Sequence, residues 1–299
     1  MAGKIKISKG DIIFNIINYA VFGIFTLICI LPFYYLFINT ISDNDLVRRG
    51  LIRLIPRGFH LSNYEQVLKL RGLGQAALIS VSRTILGTSL SVLASAFVGY
   101  LVTKKMMWGR KFWYRFIIIT MYFSAGLVPW YMNMVLLRLT NNFLAYILPA
   151  IIAPFNIILV KTYIESIPQS LEESASIDGA GIILIFRKII LPLTKPILAT
   201  IAIFAAVGHW NSFMDTLFLM TDERLFTLQF VLWRYLNEAN YLASIMRSGS
   251  TSLIDISQAL TPRTIQMTIS MIVVFPILLT YPFLQRFFVK GIMVGAIKG

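Results

Sequence analysis

Residues 171–196 read LEESASIDGAGIILIFRKIILPLTKP, a polar, glycine-punctuated stretch set between two strongly apolar runs. Wound as a helix, Leu171, Ala175 and Asp178 fall on one side, while Glu172, Glu173 and Ser176 spread over the others. Gly179 suits a turn that needs positive φ, after which Ile182 to Ile190 can begin a second short helix. Pro192 and Pro196 then mark entry into the next apolar run. The expected geometry is helix, glycine turn, helix, laid along a membrane face. An interfacial amphipathic helix that binds only lipid headgroups is the plainer reading of the same pattern.

Composition sets the frame for that stretch. The chain has 299 residues, of which 57% are hydrophobic and 13% charged, well below the roughly 25% charged of soluble domains. With a mean hydropathy of +0.75 it reads as an integral membrane protein. Its net charge of +14 does not indicate nucleic acid, because the basic residues sit mostly between apolar runs, where headgroups and partner proteins are the natural counter-charges. The single cysteine, Cys29, lies inside an apolar run, which excludes an intrachain disulfide and a thiolate metal site. His60 and His209, the two histidines, stand in unrelated segments, so no metal or other cofactor is expected in this chain.

Six stretches reach the ~20 apolar residues that a spanning helix needs: about Ile12–Ile38, Ala76–Val102, Phe112–Leu137, Phe143–Tyr163, Ile197–Met220 and Thr264–Phe288. The fold class is therefore all-α, with both termini on one side. Residues 1–11 form an N-terminal tail, and the rest, 12–299, one membrane domain with its core at about 72–290. The loop TKKMMWGRKFWYR carries Lys104, Lys105, Arg110, Lys111 and Arg115 and marks the cytoplasmic side, which puts residues 164–196 there too. The first outer connection is also basic, with Arg48, Arg49, Arg53, Arg57, Lys69 and Arg71, as long translocated segments tolerate. An outer loop at 221–263 is too long for a plain connector and should reach a partner.

Several polar or small residues fall inside the spans. Gly87, Ser91, Ser95 and Gly99 recur every four residues and form a stripe suited to close helix packing. Gly126 and Pro129 interrupt the third span, either as a pathway element or as a bend filled by neighbours. In the fifth span Asn211 and Asp215, four apart, extend a polar stripe from Gly208, with His209 turned away. Tyr122, Trp130, Trp210, Asn211 and Asp215 are the candidate substrate-pathway residues, aromatic faces and polar groups of the kind that hold sugars.

At fixed spacing Glu173, Ser174, Ala175, Gly179, Ile189, Leu191 and Pro192 match Glu-Ala-Ala-x3-Gly-x9-Ile-x-Leu-Pro. This resembles the EAA loop of permeases of binding-protein-dependent ABC importers, with Ser174 replacing the usual alanine. The fuller run, and the C-terminal RFFVKGIMVGAIKG, resemble the carbohydrate-uptake branch, over about Leu61 to Gly299. The resemblance implies a type I ABC importer permease fold in a bacterial plasma membrane, with a cytoplasmic coupling helix that docks on an ATPase dimer. It assigns that contact to Glu172, Glu173, Ser174, Ala175, Asp178, Gly179, Ala180, Ile189, Leu191 and Pro192. It also implies a second homologous permease chain, an extracellular solute-binding protein and a sugar or oligosaccharide cargo, with ATP and Mg bound by the ATPase. The tail with Gly291, Gly295 and Lys298 would extend toward the ATPase.

The chain has no GxxxxGK[ST] loop, so hydrolysis of nucleotide would belong to another subunit and this chain would not be an enzyme. The basic first connection suggests attraction of an acidic saccharide such as a uronate oligomer, but surface or headgroup charge is the better reading of it. An ion-coupled secondary transporter is the alternative, but that class tends to show internal repeats and paired intramembrane charges, neither evident here. A membrane-embedded glycosyl transferase would require paired carboxylates or a His/Asp/Glu cluster near an interface.

Overall fold

The first helix, α1 (Lys9–Thr40), shows most plainly why this chain needs a bilayer. From Ile12 to Phe37 nearly all its large apolar side chains are exposed, which suits a helix solvated by hydrocarbon and not by water. Ser8 and Asp11 cap its start reciprocally, side chain to backbone amide in both directions. Its last turn is buried: Ile38 packs with Val47 and Ile52, and Met267 lies against them. There Asn63 Nδ2 donates to the Thr40 carbonyl at 3.0 Å, satisfying one of the acceptors a helix end leaves open.

The structure, a computed structural model, describes residues 8–247 and 263–296, with side chains over 8–237 and 263–280. Among these residues every regular element is helical. The chain divides into two compact units, residues 1–70 with 239–272, and residues 71–238 with 273–299. The first holds α1, α2 (Asn44–Arg48) and α3 (Ser62–Leu68). The second is built around α4 (Leu73–Leu101), which packs against α7 (Pro154–Glu165) and α11 (Lys195–Asn211).

Close approach to α4 follows from its small residues. Gly87, Ser91, Ser95 and Gly99 are all buried. A Cβ at Gly99 would stand 2.9 Å from Val160 Cγ1 of α7, and one at Gly87 would run into the His209 imidazole of α11. The stripe is thus the seam through which both neighbours reach α4. Ala96, Tyr100, Val160, Ile164, Ile185, Phe186, Ile190, Ile197 and Ile201 form the core at one end of this seam. At the other end Ile79, Met134, Tyr146 and Leu219 form a second cluster.

Among the described residues three helices are long and apolar enough to cross a membrane, α1, α4 and the start of α14 (Arg263–Ala296), and two bent pairs raise the number to five. The third span, expected to be interrupted at Gly126 and Pro129, is two helices, α5 (Arg110–Tyr122) and α6 (Leu127–Leu136). They part where Gly126 takes φ +87, a conformation a side chain disfavours. The fourth is a 3₁₀ stretch at Phe143–Ala150 bent by 44° from α7.

The expected fifth span also departs from a single helix. α11 ends at Asn211, Ser212 is extended at ψ 129, and α12 (Met214–Leu219) starts afresh. The continuous polar stripe expected from Asn211 to Asp215 therefore does not exist: Asn211 is exposed and Asp215 turns inward to an ion pair. Beyond α12 the connection expected as a loop from residue 221 contains α13 (Leu228–Arg247), and residues 248–262 lie outside the described part.

Candidate functional site

The glycine-punctuated segment folds as α8 (Ser170–Ile177), a turn, α9 (Ile182–Ile185), a π-helical stretch at Phe186–Ile190, and α10 (Leu191–Leu193), which then meets α11. The pair Ile182–Leu193 and Lys195–Asn211 is bent by 79°, so the segment lies across the end of the seam. α8 closes with a two-bond glycine motif. Ala180 N–H donates to the Ala175 carbonyl at 2.9 Å and Gly179 N–H to the Ser176 carbonyl at 3.1 Å, with Gly179 at φ +81. A Cβ on Gly179 would meet nothing within 4 Å, so it is the backbone angle and not space that calls for glycine.

The ten residues singled out in this segment separate into two sets. Ala175, Ala180, Ile189 and Leu191 pack against the core of Tyr100, Val160, Ile190 and their neighbours. Glu172 pairs with Lys104, whose Nζ also sits 4.1 Å from the centre of the Tyr100 ring. These five tie the segment to the end of α4. Glu173, Ser174, Asp178, Gly179 and Pro192 are exposed, beside the exposed apolar side chains of Leu171, Ile177, Ile183 and Leu184. Ile177, at 86% exposure, is an apolar side chain on an otherwise polar turn.

A second site lies along the seam. A cavity of about 420 Å³ opens among α4, the bent fourth pair, α11 and α12, lined by Arg83, Ser91, Trp130, Tyr146, Asn156, His209, Ser212 and Asp215 among others. Arg83 dominates it. Its guanidinium makes 3.2 Å and 2.5 Å bonds to the two carboxylate oxygens of Asp215, and a 3.3 Å bond to the Ser212 carbonyl left open at the helix break. Its face lies 4.3 Å from the Tyr146 ring centre. The two side chains are 3% and 15% exposed, so neither charge is solvated in the usual way. Removing one partner from such a pair costs about 3–5 kcal/mol, because the other charge is left buried and unmatched.

Of the pathway candidates, Trp130 and Asp215 line this cavity. Trp210 faces another, apolar cavity of about 510 Å³ with Val81, Ile85 and Pro276, and its Nε1 donates to the Val273 carbonyl at 3.0 Å. Tyr122 is 80% exposed and Asn211 is exposed, and neither lines either cavity. Arg83, Tyr146, Asn156 and His209 belong to the site although sequence reading missed them. The signal for Arg83 was available: it is an arginine inside the apolar run LISVSRTILG, and an ionisable residue within a span marks a functional or paired position. Among the described residues no cluster of His, Cys, Asp or Glu could hold a metal ion.

Residues 2–294 match the family described as binding-protein-dependent transport system inner membrane component. The chain is 33% identical to the polygalacturonan/rhamnogalacturonan transport system permease protein YtcP of Bacillus subtilis, over 96% of this chain and 99% of that one. It is 30% identical to the arabinooligosaccharides transport system permease protein AraQ of Halalkalibacterium halodurans, over 93% and 94% of the two chains. Among solved structures it is similar to a chain of a bacterial ABC transporter involved in the import of the acidic polysaccharide alginate. The TM-score there is 0.81 at 29% identity, over 94% of this chain and 98% of that one.

Proposed function

The chain belongs to the family of binding-protein-dependent transport system inner membrane components, and from that premise we propose that it is a saccharide-importing permease driven by a separate ATPase. Relatives named for transport of polygalacturonan/rhamnogalacturonan and of arabinooligosaccharides support a sugar cargo. The proposed assembly has six spans, with both termini and residues 164–196 in the cytoplasm. A second permease chain, an ATPase dimer holding ATP and Mg, and an extracellular binding protein complete it.

The observation that carries this reading is the shape of the 170–193 segment. Its inner residues lock it to α4 through Lys104 and Tyr100, while Glu173, Ser174, Ile177 and Asp178 are presented outward around a rigid glycine turn. Such an element transmits displacement: a partner that moves it moves α4 and α11 as rigid bodies, as alternating access requires. Within the cavity, Trp130 and Asp215 remain the substrate-pathway candidates, joined by Arg83, Asn156 and His209.

Gly179→Pro tests the coupling role. Proline cannot reach φ +81 and lacks the N–H that Ser176 accepts, so the turn must open. In the assembled complex we expect loss of both uptake and substrate-stimulated ATP hydrolysis, whereas Gly179→Ala, costing about 1–2 kcal/mol, should keep most of each. Stimulated hydrolysis retained by the proline variant would refute the coupling role.

A further inference from the structure

We propose that the cavity wall formed by Arg83, Trp130, Tyr146, Asn156, His209 and Asp215 recognises an uncharged, hydroxyl-rich sugar unit, and that Asp215 excludes carboxylate-bearing units by occupying Arg83. The inference rests on the reading of the chain as a saccharide importer and narrows its substrate class.

Among the cavity-lining residues, Arg83 and Asp215 are the sole representatives of Arg, Lys, Asp and Glu. Both oxygens of Asp215 face the guanidinium, Ser212 takes a further bond from it, and Tyr146 covers one of its faces. A carboxylate entering this wall therefore meets a cation whose charge Asp215 already matches, with only its buried Nε left without a hydrogen-bond partner, and close beside it the negative oxygens of Asp215. It would shed its hydration without a new partner, which is strongly unfavourable at depth in a membrane. Hydroxyl groups meet no such penalty. Asn156 is 6% exposed and its carboxamide makes no hydrogen bond with any described residue, so it is available both to donate and to accept. Trp130 supplies an aromatic surface against which the apolar face of a sugar ring can lie. The relatives named for acidic polymers make this a sharp claim, since the wall of this chain is built against the charge those polymers carry.

The test uses the whole importer, with ATPase, partner permease and binding protein, reconstituted in vesicles. The probes are α-1,4-linked tri-galacturonate and its methyl ester, which share a backbone and differ in charge. At equal occupancy of the binding protein, the ester should enter about tenfold faster or more through the unaltered importer. Asp215→Asn releases Arg83 and should move the ratio by about tenfold toward the acid, while Arg83→Gln with Asp215→Asn restores a neutral wall and the original ratio to within about twofold. Equal entry of the two probes through the unaltered importer would overturn the proposal. So would a ratio left unmoved by Asp215→Asn in an assembled, ATP-hydrolysing complex. Should that single variant fail to assemble, the unaltered importer and the double variant decide by the same ratios. Failure of both probes to enter or to stimulate hydrolysis would count against the saccharide reading itself, and this inference would fall with it.

Discussion

At Gly87 the absence of one methyl group decides whether two helices can touch. A Cβ there would overlap the His209 ring, which is 6% exposed, so α4 and α11 meet only because position 87 has no side chain. Gly208, one residue away on the partner helix, has open space around it. Gly87→Ala should therefore lower stability by about 1–3 kcal/mol, seen as a reduced thermal midpoint of the purified protein. Gly208→Ala, which removes helix-interior glycine without a clash, should be neutral or stabilising by up to about 1 kcal/mol. Equal midpoints for the two variants would contradict the packing account. The four-residue spacing of Gly87, Ser91, Ser95 and Gly99 was readable in the sequence because it is a local periodicity. The role of Arg83 was not, since it depends on Asp215 being brought beside it from 132 residues away.

At the scale of elements, the same distinction separates what could and could not be read. The helix, glycine turn and second helix of residues 170–193 follow from local chemistry: a short amphipathic run, then a residue free to adopt φ +81, then apolar residues ending in prolines. The break of the fifth span at Ser212 has no such local sign. It is held by Arg83 bonding to the Ser212 carbonyl, a contact between helices that neither run announces alone. The link between Lys104 and Glu172 is likewise nonlocal, and it is the one ionic tie between the end of α4 and α8 among the described residues. With side chains 19% and 22% exposed it should contribute on the order of 1 kcal/mol, too little to decide folding but enough to loosen the attachment. Glu172→Lys should lower ATP-driven uptake severalfold with assembly retained, and adding Lys104→Glu should recover at least about half of it. Uptake by the double variant no better than by the single one would show that the pair carries no coupling.

Taken as a whole, the chain combines helices that bury little of their apolar surface in the protein itself with one short segment that presents polar and apolar groups outward from a rigid turn. The first feature suits lipid and the second a protein contact, and membership of the family of binding-protein-dependent inner membrane components is in keeping with both. An ion-coupled transporter would have to move its cargo with no such partner. Uptake of a labelled oligosaccharide into vesicles carrying the assembled complex separates the two directly. Accumulation should require ATP on the ATPase side and persist when proton and sodium gradients are collapsed. Accumulation driven by an ion gradient in the absence of ATP and of the ATPase would refute ATP-driven import by this chain.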